Sequence, residues 1–107
     1  MNLFSLEGKT AIVTGALGLI GKHHCAALSE AGANVVVADV NKNNCRDFAS
    51  MFETKAIGVG LNVTAPESIK KMRDTIIKEF GHIDILVNNA AINDMFESPQ
   101  AALEQSK

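Results

Sequence analysis

The sequence predicts an α/β fold built on a parallel sheet, and three observations lead there. Short β-branched runs alternate with longer segments of helical periodicity. A turn with glycines at Gly15, Gly18 and Gly21 joins the first run to the first helical segment. Asp39 closes the second apolar run, 18 residues after Gly21. The order β-α-β-α-β-α-β argues for a parallel sheet with right-handed crossovers, and the expected strand order is 3-2-1-4. The fold class is therefore a Rossmann-type doubly wound sheet, truncated to about four strands, with residues 1–107 forming one domain that ends just past the topological switch point.

Strand one spans about Thr10 to Thr14. Helix one runs from about Gly18 to Ala31, with Ile20, His24, Ala27, Leu28 and Ala31 along one stripe and Gly32 as a left-handed stop. Strand two is Asn34 to Asp39. Helix two, about Lys42 to Phe52, places Cys45, Phe48, Ala49 and Phe52 on one face, and strand three is about Ala56 to Leu61. Helix three opens with Thr64 as a hydroxyl cap three residues before Glu67 and with Pro66 in its first turn. Ile69, Met72, Ile76, Ile77 and Phe80 then recur at helical spacing until Gly81. Strand four, Ile83 to Asn88, is apolar on both faces, as a parallel strand covered by helices should be. Ser98-Pro99 reads as the start of a further helix, cut at Lys107.

Length and composition fit one soluble globular domain: 107 residues, 47% hydrophobic, formal charge −2. The balance is too acidic for a nucleic-acid footprint. No apolar run approaches the roughly 20 residues of a membrane span, and the N-terminus lacks the layout of a secretory signal. Cys25 and Cys45 have no metal-binding spacing and read as two buried or half-buried free thiols, which points to a reducing, cytoplasmic setting. No metal site is expected. His23 and His24 are sequence neighbours and do not share a helix face, so one should face solvent and the other the core stripe. These two and His82 read as solvated or satisfied groups rather than as catalysts.

The chemistry concentrates at the glycine turn. A pyrophosphate needs backbone N–H groups it can approach closely and the positive end of a helix dipole. Gly15 permits the tight turn, Gly18 lets the loop close on phosphate, and Gly21 lets the helix pack against the strand. Asp39 can accept hydrogen bonds from the adenosine ribose hydroxyls and would repel a 2′-phosphate. Ala16, Leu17, Val40 and Asn41 carry no positive charge, and Lys42, the nearest cation, is expected to point to solvent. NAD is therefore expected over NADP. The alternative role for Asp39 is that of a cap on helix two.

Three fragments taken together resemble the short-chain dehydrogenase/reductase family: Thr14-Gly15-x-x-Gly18-x-x-Gly21, Asn62-Val63-Thr64, and Phe80-Gly81-His82-Ile83-Asp84-Ile85-Leu86-Val87-Asn88-Asn89-Ala90-Ala91. Leu6-Glu7-Gly8-Lys9 before strand one is also typical. The resemblance covers the whole chain but only about the N-terminal half of a family member. It implies that Asn62 and Val63 line an adenine pocket and that Asn89 and Ala90 contact the cofactor riboses. It also implies that Leu19 and Ile20 lie on the nicotinamide side, that Asn88 ties the central sheet together and that Asp84 is structural. The sequence departs from the common pattern at Leu19, where glycine is usual, at Asn62, where aspartate is usual, and at Ala91, which replaces a glycine. An amide at position 62 still donates or accepts one hydrogen bond.

The resemblance further implies hydride transfer between nicotinamide and an alcohol or carbonyl substrate. A tyrosine acts as general acid/base, a lysine four residues later lowers its pKa, a serine polarises the substrate oxygen and an asparagine supports a proton relay. All would fall after Lys107, and the chain contains no tyrosine. Ser106 and Lys107 are no substitute without a phenol, so the sequence assigns no catalytic residue and predicts this chain alone to be inactive. A small-molecule substrate is expected only where a C-terminal half is present. Strand four would present a bare apolar edge, Ile92, Met95 and Phe96 would lose cover, and the segment from Pro99 resembles a dimer-forming helix, so self-association is expected. Three functions stay open: the cofactor-binding half of an oxidoreductase, a non-catalytic NAD-binding module or subunit completed by another chain, and an inactive remnant.

Overall fold

The computed structural model describes residues 5–89. Runs of β-branched and small apolar residues form four strands, β1 (Thr10–Thr14), β2 (Asn34–Asp39), β3 (Ala56–Gly60) and β4 (Ile85–Asn88). Three helices alternate with them, α1 (Leu19–Glu30), α2 (Lys42–Ala49) and α3 (Pro66–Phe80). The strands are all parallel, in the order β3-β2-β1-β4. Register pairs Ile12 with Val36 on one side of β1 and with Leu86 on the other. All five residues of β1 are buried, which is why the strand can consist of Thr, Ala, Ile and Val with no polar face.

Alternate residues of the strands feed two cores. On one face Val13, Val35 and Val37 pack with Cys25 of α1 and with Cys45 and Ala49 of α2. On the other, Ile12, Val36, Ala38 and Val59 pack under Met72 and Ile76 of α3. The approach of α2 to β3 is backbone to backbone. A Cβ built on Gly58 would lie 2.3 Å from the Arg46 nitrogen and the Cys45 carbonyl carbon, so any side chain there would force the helix away.

The helix ends explain themselves locally. α1 stops in a pair of closing bonds, Gly32 N–H to Ser29 O and Ala33 N–H to Leu28 O, with Gly32 at φ +97. α3 stops at Gly81, φ +85. α2 is capped by Asn41, whose Oδ1 accepts from the Asn44 N–H at 2.9 Å. Asp39 is therefore not the cap of helix two.

Four expectations are corrected. The buried side of α1 is Gly21, Cys25 and Ser29, one position round from the expected stripe, and Ile20 is exposed. The helix lies so close to the sheet that small residues, rather than the largest apolar ones, occupy the contact. Thr64 does not cap α3: Ala65 holds the cap position, and the Thr64 hydroxyl donates instead to Asn62 Oδ1 at 2.6 Å. The helical run of α2 ends at Ala49, although Phe52 still packs edge-on against Phe48 at 5.0 Å between ring centroids. β4 begins at Ile85 and is not covered on both faces by the described residues. Leu86 is 62% exposed, because α3 packs over the β3-β2-β1 side of the sheet and stops short of β4. The expectations for Ile92, Met95, Phe96 and the segment from Pro99 lie outside the described residues.

Asp84 fastens the entry to β4. Its Oδ2 accepts from the Thr10 N–H at 2.9 Å and meets His82 Nδ1 at 2.6 Å, while its own N–H donates to Thr10 O. His82 thus has a carboxylate partner that sequence reasoning did not find. The Thr10 N–H, and after it His82, hold the Asp84 carboxyl below its ordinary range. A depressed folded-state pKa gives stability that is present above the unfolded value and lost as pH falls through the folded one. The Asp84→Ala variant is expected to melt below the parent at pH 7, with the gap closing as the pH falls below about 4, followed by calorimetry.

Burial pushes the Cys25 thiol up from an ordinary 9.0 to about 12, with a smaller push from Cys45. Burial, and after it the charge of Asp39, takes Cys45 to about 11. Raised thiol pKa values favour the fold below the unfolded value and cease to do so as pH rises toward the folded ones. Both thiols should resist an aromatic disulfide reagent in the native protein and titrate fully in denaturant. Unfolding free energy should fall as pH rises from about 9 to 11.

Candidate dinucleotide site

The C-terminal ends of the parallel strands gather the polar residues singled out from sequence. β1 leads into the turn at Gly15, whose φ of +62 is a left-handed conformation suited to glycine. The Gly18 N–H donates to Gly15 O at 3.2 Å, and the Lys22 N–H donates to Gly18 O at 2.9 Å, which starts α1. Gly18 itself is extended, φ −71 and ψ 166, so backbone conformation does not demand glycine there, and its N–H is already used within the turn. The requirement is sharpest at Gly21. A Cβ there would sit 2.2 Å from Gly15 O and 2.8 Å from Ala16 Cα.

α1 begins without a side-chain cap and without an acidic residue in its first turn. The N–H groups of Leu19 and Ile20, the first two helical residues, have no preceding turn of helix to bond. Both side chains are exposed, 78% and 60%, beside the helix end. This end of α1 thus carries the helix's partial positive charge, with the Asp39 carboxylate on the Leu17 N–H just before it.

Asp39 is the joint of the site. Its Oδ2 accepts from the Leu17 N–H at 3.0 Å, across from β2 into the glycine turn, and its Oδ1 accepts from the Val40 N–H at 2.7 Å. The backbone reinforces it: the Ala16 N–H donates to Ala38 O, and the Leu61 N–H donates to Asp39 O. One residue therefore fixes the turn after β1, the end of β2 and the exit from β3. Each carboxylate oxygen keeps lone-pair capacity for a further donor. Lys42 lines a groove of about 230 Å³ along β3 with Arg46, Gly60 and Lys71.

Beyond β3, Asn62 Oδ1 accepts from both the N–H and the hydroxyl of Thr64, at 3.0 and 2.6 Å, and the Asn62 N–H donates to Ser68 Oγ at 2.9 Å. The amide oxygen is thus engaged inside the loop, and donation from Nδ2 is what Asn62 offers a ligand. Val63 is partly exposed. Val40, considered in the sequence only for its lack of charge, is 80% exposed directly after Asp39. The signal for it was an apolar residue following an acidic strand end. Val40 and Val63 give this side of the site two accessible apolar side chains beside polar Asp39 and Asn62.

On the other side of β1, the Thr14 hydroxyl donates to Asn88 Oδ1 at 2.8 Å and joins β1 to β4. Asn89 is 6% exposed, and its N–H donates to Thr14 O at 3.2 Å. Its side-chain nitrogen lies 3.1 Å from His24 Nδ1. His24 is half-buried and His23 exposed, as helical spacing requires. Ala90 lies outside the described residues. Among those described, no group of three His, Cys, Asp or Glu is placed to hold a metal, and no helix is long and apolar enough to cross a membrane.

The short chain dehydrogenase family model matches residues 9–107. A short chain dehydrogenase/reductase of Aspergillus oryzae, astE, is 43% identical over 94 residues, covering 84% of this chain and 36% of that protein. The 3-oxoacyl-(acyl-carrier-protein) reductase FabG of Vibrio cholerae is 43% identical over 88 residues, covering 82% and 36%. Among solved structures, a hydroxysteroid dehydrogenase from Escherichia coli superposes with a TM-score of 0.75 at 33% identity, over 79% of this chain and 37% of that one. A protein assigned as a D-mannonate oxidoreductase from Haemophilus influenza, solved with bound NAD, gives 0.72 at 33% identity, over 77% and 30%. The chain spans about a third of the length of the relatives it matches.

Gly21→Ala tests the tightest contact of the site. The methyl group must displace the turn backbone, and the variant is expected to lose about 1–3 kcal/mol of unfolding free energy in urea. An unchanged midpoint would show that the turn moves aside freely.

Proposed function

The chain belongs to the short-chain dehydrogenase family, and from that premise we propose that it forms the cofactor-binding part of an NAD-dependent oxidoreductase acting on an alcohol or carbonyl substrate. The observation that carries the reading is the Asp39 carboxylate, fixed by the Leu17 and Val40 N–H groups at the mouth of the glycine turn. It faces the position where an adenosine ribose meets the end of β2 in a dinucleotide fold. Its lone pairs accept from the ribose hydroxyls, and its charge opposes a 2′-phosphate, with no positive charge on the neighbouring Ala16, Leu17, Val40 and Asn41.

The rest of the site fits the same ligand. The N-terminal N–H groups of α1 face the pyrophosphate, and Gly21 keeps the helix close enough to present them. Val40 and Val63 flank the adenine, and Asn62 Nδ2 donates to a ring nitrogen. Asn89 and Ala90 serve the second ribose, with Leu19 and Ile20 beside the nicotinamide. Bound NAD supplies the hydride acceptor. The proton chemistry needs a phenol or an equivalent acid/base, and the 107 residues contain no tyrosine. That absence favours a second reading for the chain taken alone: a binding module whose catalytic groups, substrate pocket and cover for the β4 edge come from further polypeptide, its own or a partner's. With Leu86 exposed beside that edge, the chain in isolation is expected to self-associate.

Titration with NAD and NADP tests the proposal. NAD at 100 times its dissociation constant should add about 2.7 kcal/mol to the unfolding free energy. NADP should bind at least about tenfold more weakly, given one unscreened carboxylate against its phosphate. No stabilisation at saturating NAD removes the binding function, and tighter binding of NADP removes the role given to Asp39.

A further inference from the structure

Asn89 leaves the sheet under two restraints. Its N–H donates to Thr14 O, and its carboxamide nitrogen sits 3.1 Å from the Nδ1 of His24, 65 residues away on α1. An amide nitrogen only donates, so His24 Nδ1 accepts and the neutral imidazole carries its proton on Nε2. Asn89 is almost wholly buried, so a carboxamide without this partner would leave a donor unsatisfied inside the protein. The bond also bridges two elements that share no other named hydrogen bond, the second turn of α1 and the end of β4. Together with the bond from the Asn89 N–H to Thr14 O, it fixes both backbone and side chain of Asn89 at the end of β4.

Position matters here as much as the bond. In the order β3-β2-β1-β4, Asp39 and Asn62 lie on one side of the glycine turn and Asn89 on the other. A dinucleotide with its adenosine at Asp39 and its pyrophosphate at α1 brings its second nucleoside to the end of β4. We propose that His24 is a positioning residue that locks Asn89 and thereby sets affinity for the nicotinamide-riboside half of the cofactor, leaving the adenosine half untouched. The inference rests on the dinucleotide-binding reading above and assigns a role to a histidine that sequence reasoning treated as inert.

The test compares NAD with ADP, which carries the adenosine and both phosphates but no second nucleoside, by calorimetric titration of the protein in its native length. His24→Leu keeps side-chain bulk and removes the acceptor. It should raise the Kd for NAD roughly five- to tenfold and leave the Kd for ADP within about twofold. His24→Asn places a carbonyl oxygen the same number of bonds from Cα as Nδ1 and should restore NAD affinity to within about twofold of the parent. Equal weakening of both ligands marks a merely structural histidine and overturns the inference. So does unchanged NAD affinity in His24→Leu, or failure of His24→Asn to rescue. If the parent binds ADP and NAD with the same affinity, no second subsite exists and the inference falls while adenosine binding stands. If the parent binds neither, the dinucleotide reading itself has failed.

Discussion

The C-terminal edge of the sheet depends on the carboxylate of Asp39. Without the bond from the Leu17 N–H to Oδ2, the glycine turn would have only the Ala16 N–H to Ala38 O contact to hold it against β2. The same residue's carbonyl receives the Leu61 N–H as the chain leaves β3. Both carboxylate oxygens thus serve the protein before any ligand arrives. Substituting Asp39 would therefore disturb the turn as well as whatever the turn binds, and the two effects share one side chain. The restriction to glycine at Gly21 follows from the same closeness, since the turn it would strike is held in place from the β2 side.

The packing is asymmetric about β1. On the α1/α2 face, small residues meet the sheet: Gly21, Cys25 and Ser29 from α1, Cys45 and Ala49 from α2, with Gly58 beneath α2. Ser29 remains tolerable there because its hydroxyl shares a 2.7 Å bond with the Thr54 hydroxyl. On the α3 face, larger side chains, Met72 and Ile76, fill a wider gap. Close-packed helices present their backbone ends accurately at the sheet edge, and α1 is the helix whose end faces the glycine turn. Small interface residues thus serve geometry at the site as well as burial.

This asymmetry decides what was legible in the sequence. The parallel sheet followed from β/α alternation, because parallel strands need crossovers. Alternation and handedness also allow the order 2-1-3-4, and it is the glycine turn after β1 with an acidic residue ending β2 that belongs with 3-2-1-4. The glycine turn and Asp39 were legible because their spacing encodes a backbone shape. The buried side of α1 was misread beyond Gly21 because hydrophobic periodicity favours Ile20 and His24 along one stripe over Cys25 and Ser29, whereas close approach rewards the smaller residues. Thr64 was misread because its hydroxyl can accept from the N–H groups of a helix end or donate to a nearby carbonyl, and here it is turned to donate to the Asn62 amide oxygen. The pairings His82 with Asp84 and His24 with Asn89 were invisible for different reasons. The first is a turn contact across two residues, and the second joins groups 65 residues apart through the fold.

The pairing of β1 has a kinetic side. Its partner β2 lies 24 residues along the chain, Thr10 against Asn34, whereas its partner β4 lies 74 residues along, Ala11 against Ile85. Closing the longer loop costs about 1 kcal/mol more chain entropy. That loop contains α1, β2, α2, β3 and α3. Pairings of such sequence separation are the ones that slow folding. The β1-β2-β3 unit is thus the local part of the sheet, and the Thr14, Asn88 and Asn89 hydrogen bonds belong to its long-range part. The two halves of the candidate site therefore differ in the length of chain they need: the bond from the Leu17 N–H to Asp39 closes within the first β-α-β crossover, and the Asn89 side requires the chain through position 89.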